Sequence, residues 1–180
     1  ILNSYELHTK TKLEIPVHVI HSKQKGPSIL FSAGMHGEEI NGVEILRKII
    51  SRNEIENLKC GTIIAIPVIN VISFLYASRD LPDGRDLNRC FPGTKKGSIG
   101  SRIAYDLMKH ILPVINLKVD FQTEGAKINN FPQLRCVFNF PANIALAERF
   151  SAPLIIDSVY RDGTFRKEAS KKNKPILVYE

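Results

Sequence analysis

Cysteine is scarce in this sequence. Its 180 residues include three, Cys60, Cys90 and Cys136. They are far apart and odd in number, so they form neither a metal knuckle nor a disulfide framework. A reducing compartment, the cytoplasm, is the simplest setting. Long apolar runs are missing as well. The longest, around residues 63–74, is interrupted by Pro67, Asn70 and Ser73. It falls well short of the roughly 20 apolar residues that cross a bilayer, which argues against a membrane partner. There is no internal repeat and no low-complexity linker. A basic motif interleaved with aromatics is also absent, which removes the platform on which nucleic-acid bases stack.

Hydrophobic residues make up 43% and charged residues 24%, which excludes whole-chain disorder. A chain of this length buries a real core without disulfides. The formal charge is +7, from 25 Lys and Arg against 18 Asp and Glu. Much of the surplus lies near the start (Lys10, Lys12, Lys23, Lys25) and near the end (Arg166, Lys167, Lys171, Lys172, Lys174). Solvated faces account for most of it, and the rest suits small anionic substrates.

Apolar runs of strand length alternate with helical periodicity. Residues 13–20, 28–33, 61–68, 117–121, 134–138, 154–156 and 176–179 read as strands. Residues 39–51, 98–112, 142–150 and 164–172 read as helices, the first from Ile40, Val43, Leu46 and Ile50 on one stripe. The alternation predicts an α/β three-layer sandwich with a mixed, largely parallel central sheet. Residues 77–97 carry no helix or strand signal, and a loop that long within a domain is often functional.

Two constellations could carry chemistry. The first is Gly34-Met35-His36-Gly37-Glu38-Glu39, after a strand and at the start of a helix. His36 and Glu39 are three apart and can face one side of the first turn. They supply two-thirds of a His₂Glu zinc set, while a capping Glu beside an exposed loop His is the alternative. The second is Asp86-Leu87-Asn88-Arg89-Cys90-Phe91-Pro92-Gly93. Asn88 and Arg89 offer an amide and a planar fork to a carboxylate, with Asn70 and Arg79 nearby. Asp86 reads as a loop support, and Arg89 beside Cys90 as a cation that lowers the thiol's pKa.

Three segments together resemble the succinylglutamate desuccinylase/aspartoacylase family, which is related to the zinc carboxypeptidases. They are Gly-Met-His-Gly-Glu-Glu-Ile-Asn-Gly from residue 34, Ile-Pro-Val-Ile-Asn from 66, and Ser-Arg-Asp-Leu-Pro-Asp-Gly-Arg-Asp-Leu-Asn-Arg-Cys-Phe-Pro-Gly from 78. Arg102-Ile103-Ala104, Asn130-Phe131-Pro132-Gln133-Leu134-Arg135 and the end from Pro175 to Glu180 extend the likeness over nearly the whole chain. The resemblance implies that His36 and Glu39 bind one zinc ion. It implies that Arg79 polarises the scissile carbonyl, that Asn88 and Arg89 hold a substrate carboxylate, and that Glu180 activates water. Arg135 would assist substrate binding. It further implies that residues 1–180 are the catalytic domain of a longer protein, cut before a β-rich C-terminal segment.

One position departs from the family pattern. Asp120-Phe121-Gln122-Thr123-Glu124-Gly125 matches an Asp-Leu-His-Thr-Gly segment, so Gln122 stands where the third zinc ligand is a histidine. A neutral amide is a weaker donor than imidazole. His8, His18, His21 and His110 lie where the motif pattern places no ligand. The resemblance implies a metal-dependent hydrolase that cleaves the amide of an N-acyl amino acid or similar small carboxylate. A non-catalytic small-anion binder with a degraded metal site and a carboxypeptidase-like peptidase remain as alternatives.

Overall fold

The computed structural model describes residues 1–6, 10–52, 57–125 and 129–180; His8 lies outside them. A seven-stranded sheet has the order β3-β5-β4-β6-β9-β7-β8. Its strands are β3 (His18–His21), β4 (Ser28–Ala33), β5 (Thr62–Ile66), β6 (Leu117–Phe121), β7 (Leu134–Cys136), β8 (Ile155–Asp157) and β9 (Ile176–Tyr179). The four central strands, β5, β4, β6 and β9, run parallel, whereas β3 and β7 are antiparallel to their inner neighbours. A separate antiparallel hairpin pairs β1 (Leu2–Glu6) with β2 (Lys12–Ile15). The expected α/β architecture, with a mixed and largely parallel sheet, is what forms.

Helices cover both faces of the sheet. On one side, α1 (Ile40–Ser51) packs on β4 and β6, and α4 (Pro141–Phe150) packs on β7 and β9. This layer closes over Ala33, Leu46, Val119, Phe121, Leu134 and Leu177. On the other side lie α2 (Val71–Leu75), α3 (Ile99–Asp106), α5 (Phe165–Ser170) and the β1–β2 hairpin, around Leu30, Ile64, Ile66, Leu107, Phe165 and Ile176. Fully burying one such Leu or Ile contributes about 1.5–3 kcal/mol. The strands are covered on both faces, which is why they read as continuous apolar runs rather than alternating ones.

Several boundaries differ from the sequence reading. Residues 13–20 form two strands in two sheets, β2 and β3, divided at Pro16. Proline lacks the N–H that a continuous ladder would need there. The segment after β5 holds the short helix α2, capped by the Asn70 side chain, which accepts from Ser73 N–H at 3.2 Å. The helix expected over 98–112 starts at its Ser98 cap but widens over Leu107–Ile111 and tightens over Leu112–Val114. Pro113 cannot supply an N–H to the ladder. Lys174 Nζ donates instead to the carbonyls of Leu112, Pro113 and Ile115 at this frayed end.

Two glycines allow the chain to turn where the site begins. Gly34 leaves β4 with φ of +60°, a conformation that disfavours side chains. Gly37 packs against α2 so tightly that a Cβ there would lie 1.9 Å from the Ser73 carbonyl oxygen.

Candidate active site

The four parallel strands end on one edge of the sheet, where open α/β sheets place their ligands. His36 and Glu39 follow β4, Gln122 follows β6 and Glu180 follows β9. The loop after β5 and α2 brings in Arg79, Asn88 and Arg89. All seven of these residues, and Arg135 from β7, line one cavity of about 360 Å³. The eight side chains that the family resemblance placed in the site are therefore brought together. Asn70 is not among them. It is fully buried and caps α2 while donating to Met35 O at 3.4 Å, so its role is structural.

His36 is 2% exposed and Glu39 3%, which excludes an exposed loop histidine. Glu39 sits at the helix N-cap but makes no side-chain cap bond. Its Oε1 instead lies 2.6 Å from His36 Nδ1. Its Oε2 accepts from the Thr123 N–H at 3.4 Å. On the other side of the ring, His36 Nε2 is 3.1 Å from Asp86 Oδ1. Burial opposes the charged imidazole, but hydrogen bonds to Asp86 and Glu39 outweigh it and raise the pKa from 6.5 to about 9. For Asp86, burial is likewise outweighed by His36 and Arg79, and its carboxyl is held well below the usual range.

Asp86 organises the loop around it. Its Oδ1 accepts from the Asn88 N–H at 2.8 Å, as expected of a loop support. Its Oδ2 accepts from Arg79 Nη2 at 3.0 Å and lies 3.7 Å from Arg89 Nη1. Arg79 Nη1 is 3.7 Å from Glu39 Oε1 and 3.5 Å from His36 Nδ1. Arg79 and Arg89 stay 43% and 40% exposed, so their guanidinium groups reach solvent at the cavity mouth. Cys90 behaves contrary to the sequence reading. Burial pushes its thiol pKa up, and nearby Asp83 adds to this; Arg85 opposes it.

Glu180 Oε2 gathers three donors. Arg135 Nη2 lies at 2.7 Å, Gln133 Nε2 at 3.0 Å and Asn130 Nδ2 at 3.2 Å. Burial raises the Glu180 pKa, against the opposing effects of Gln133 and Arg135. Arg135 also bonds Glu124 Oε1 at 3.0 Å, so it is turned toward the carboxylates of the site. The segment Asn130-Phe131-Pro132-Gln133-Leu134-Arg135 places these three donors close together in the sequence, and only Arg135 stood out there as a substrate contact.

The donor chemistry fits a divalent cation in part. Nδ1 of His36 and Oε1 of Glu39 converge from two buried side chains, and Asp86 occupies the far nitrogen, a carboxylate–histidine arrangement typical of metal ligands. Gln122 is the third side chain. Its Nε2 donates to Asp120 Oδ2 at 2.7 Å, which leaves the amide oxygen as its donor atom. Among the described residues no three His, Cys, Asp or Glu side chains are arranged to hold a metal ion together, so a third strong donor is missing. His18, His21 and His110 are exposed and do not line the cavity.

Sequence reasoning missed Lys118. This lysine is 1% exposed, on the same face of β6 as Asp120, whose carboxylate in turn reaches Gln122. Period-two spacing along the strand could have placed it, but a lysine in an apolar run reads as an edge residue.

A mostly parallel sheet with helices on both faces and a polar site at its carboxyl edge defines an open α/β protein that places its ligands at strand ends. The chain belongs to the succinylglutamate desuccinylase/aspartoacylase family, whose catalytic-domain model matches residues 25–180. It is 33% identical over 119 residues to N-alpha-acetyl-L-2,4-diaminobutyric acid deacetylase of Halomonas elongata, covering 66% of this chain and 34% of the relative. A crystal structure of succinylglutamate desuccinylase/aspartoacylase from Rhodobacter sphaeroides superposes with a TM-score of 0.84 at 30% identity, over 94% of this chain and 52% of that one. Murein-tripeptide amidase MpaA of Escherichia coli O157 shares the fold, with a TM-score of 0.64 at 16% identity, over 98% of this chain and 80% of that one. The match thus spans about a third of the length of the Halomonas relative and about half of the Rhodobacter structure.

Proposed function

We propose that this chain carries the reaction centre of a deacylase that hydrolyses the amide of an N-acyl amino acid or similar small carboxylate, with one zinc ion per site. The observation that carries this reading is the convergence of His36, Glu39, Arg79, Asn88, Arg89 and Glu180 in one cavity at the ends of parallel strands. His36 Nδ1, Glu39 Oε1 and the Gln122 amide oxygen would hold the ion. When bound, zinc would polarise the scissile carbonyl and lower the pKa of a nearby water. The free thiols of Cys60, Cys90 and Cys136 support a reducing, cytoplasmic setting.

The protein's own groups divide the remaining work. Arg89 and Asn88 bind the substrate carboxylate at the cavity mouth and so fix its orientation. The exposed Arg79 guanidinium faces the carbonyl oxygen as charge develops there; one such donor is typically worth about 3–4 kcal/mol. Glu180 accepts a proton as water adds to the carbonyl carbon. It then gives the proton to the leaving nitrogen as the C–N bond breaks.

The test is zinc content of the purified chain together with amine release from a panel of N-acetyl and N-succinyl amino acids. Sub-stoichiometric zinc is expected, rising toward one per chain in Gln122→His, with activity lost on chelation. Absence of zinc in both forms overturns the zinc-dependent reading. Two observations favour a second reading, a non-catalytic anion binder. The third donor is an amide, and Arg79 lies close to the His36–Glu39 pair. Saturable binding of N-acyl amino acids without turnover, in the presence of zinc, would establish that reading instead.

A further inference from the structure

Beneath the candidate zinc donors lies a buried chain of polar groups with no part in the reaction. Lys118 Nζ is 3.2 Å from Asp120 Oδ1 and 4.4 Å from the centre of the Phe165 ring. Ser32 Oγ donates to the same Asp120 oxygen. Asp120 Oδ2 accepts from Gln122 Nε2 at 2.7 Å. Both oxygens of Asp120 are therefore committed, one of them to a cation. The ammonium sits between a carboxylate and an aromatic face, both of which favour its charged form. Burial is the larger influence and lowers its pKa below the usual lysine value, and Asp120 opposes that shift.

Charge around the cavity matters for a dication. Of the three candidate donors, Glu39 alone carries formal negative charge. Six cationic side chains line the cavity against four carboxylates. Arg79 and Arg89 reach solvent, where screening is strong. Lys118 is 1% exposed, so salt and solvent screen its charge much less.

We propose that Lys118 is a resident cation that holds the metal affinity of this site low, by neutralising Asp120 directly behind Gln122. Together with the amide donor it makes the metal exchangeable rather than permanently held. The proposal rests on His36 and Glu39 being metal ligands.

Zinc affinity, read by competition with a chromophoric chelator on the full 180-residue chain, tests it. Lys118→Gln removes the charge and keeps a donor to Asp120; it is expected to bind zinc about tenfold more tightly. Lys118→Met, an unbranched apolar replacement against Phe165, should shift affinity the same way and serves if the Gln variant does not fold. Lys118→Arg keeps the charge and should stay at the unmodified value. Unchanged or weaker zinc binding in folded Lys118→Gln or Lys118→Met overturns the inference. Gln122→His separates it from the reading beneath it. If Gln122→His binds zinc but indifferently to Lys118, only this inference falls. If it binds none, the metal-site reading falls and takes this inference with it.

Discussion

Asp86 links three groups that are distant in sequence. It touches the ring of His36, the backbone of Asn88 and the guanidinium of Arg79. Asp86→Ala is expected to lower zinc affinity about 10–100-fold, the usual effect of losing a carboxylate behind a ligating histidine; the same chelator competition reads it. Glu180 must be ionised to accept a proton, and burial raises its pKa while Gln133 and Arg135 oppose the rise. Removing Arg135 takes away part of that opposition. In Arg135→Ala the pKa therefore climbs, and the acid limb of the kcat profile moves to higher pH. A limb that stays put or moves to lower pH would show that Arg135 does not act through Glu180. Glu180→Gln should lower kcat by about 10²–10⁴-fold with little change in KM, measured at the pH optimum of the unmodified chain. The sequence exposed His36 and Glu39 readily because their relation is local, three positions on one turn. It hid Asp86's contact with His36, because a loop 50 residues further on folds back over the imidazole.

At the scale of elements, strand ends do the positioning. β4, β6 and β9 each deliver a site residue within a few positions of their last ladder pair. The Gln122 N–H continues the β6–β9 ladder by donating to Tyr179 O at 2.9 Å, so the third donor position is held by sheet geometry. The loop after Gly34 is clamped by α2, whose Ser73 carbonyl leaves no room for a side chain on Gly37. Gly37→Ala is expected to destabilise the fold by about 1–3 kcal/mol through overpacking and to shift the His36–Glu39 turn. Urea denaturation measures the first effect and zinc affinity the second. The helix α2 was illegible in the sequence. It is five residues long, too short to show a periodicity, and is set by the Asn70 cap and its packing. The strand run over 13–20 misled for the opposite reason. Its apolar content is continuous across Pro16, yet its halves join different sheets.

For the whole molecule, binding energy and folding energy are linked through the site. The candidate donors come from segments that follow three strands of one sheet, and they come together only when the sheet is assembled. Zinc at a hundred times its Kd should therefore add about 2.7 kcal/mol of stability, a rise in Tm of roughly 5–10 °C for a chain of this size. The rise should be larger in Gln122→His at equal zinc, as followed by thermal unfolding with and without chelator. The alternation of strand and helix patterns, the motif residues and their spacing were set by the sequence alone. The alternation was enough for the fold class, because apolar period is a local property; spacing picked out His36, Glu39, Asn88 and Arg89, while Gln122, Arg135 and Glu180 were reached through the family resemblance. Tertiary structure alone decided the parallel order of the strands, the reach of Asp86 to His36, the three donors around Glu180 and the burial of Lys118 behind Gln122. Each of these depends on groups distant in the chain being desolvated together, and their charges act strongly on one another only once water has been excluded.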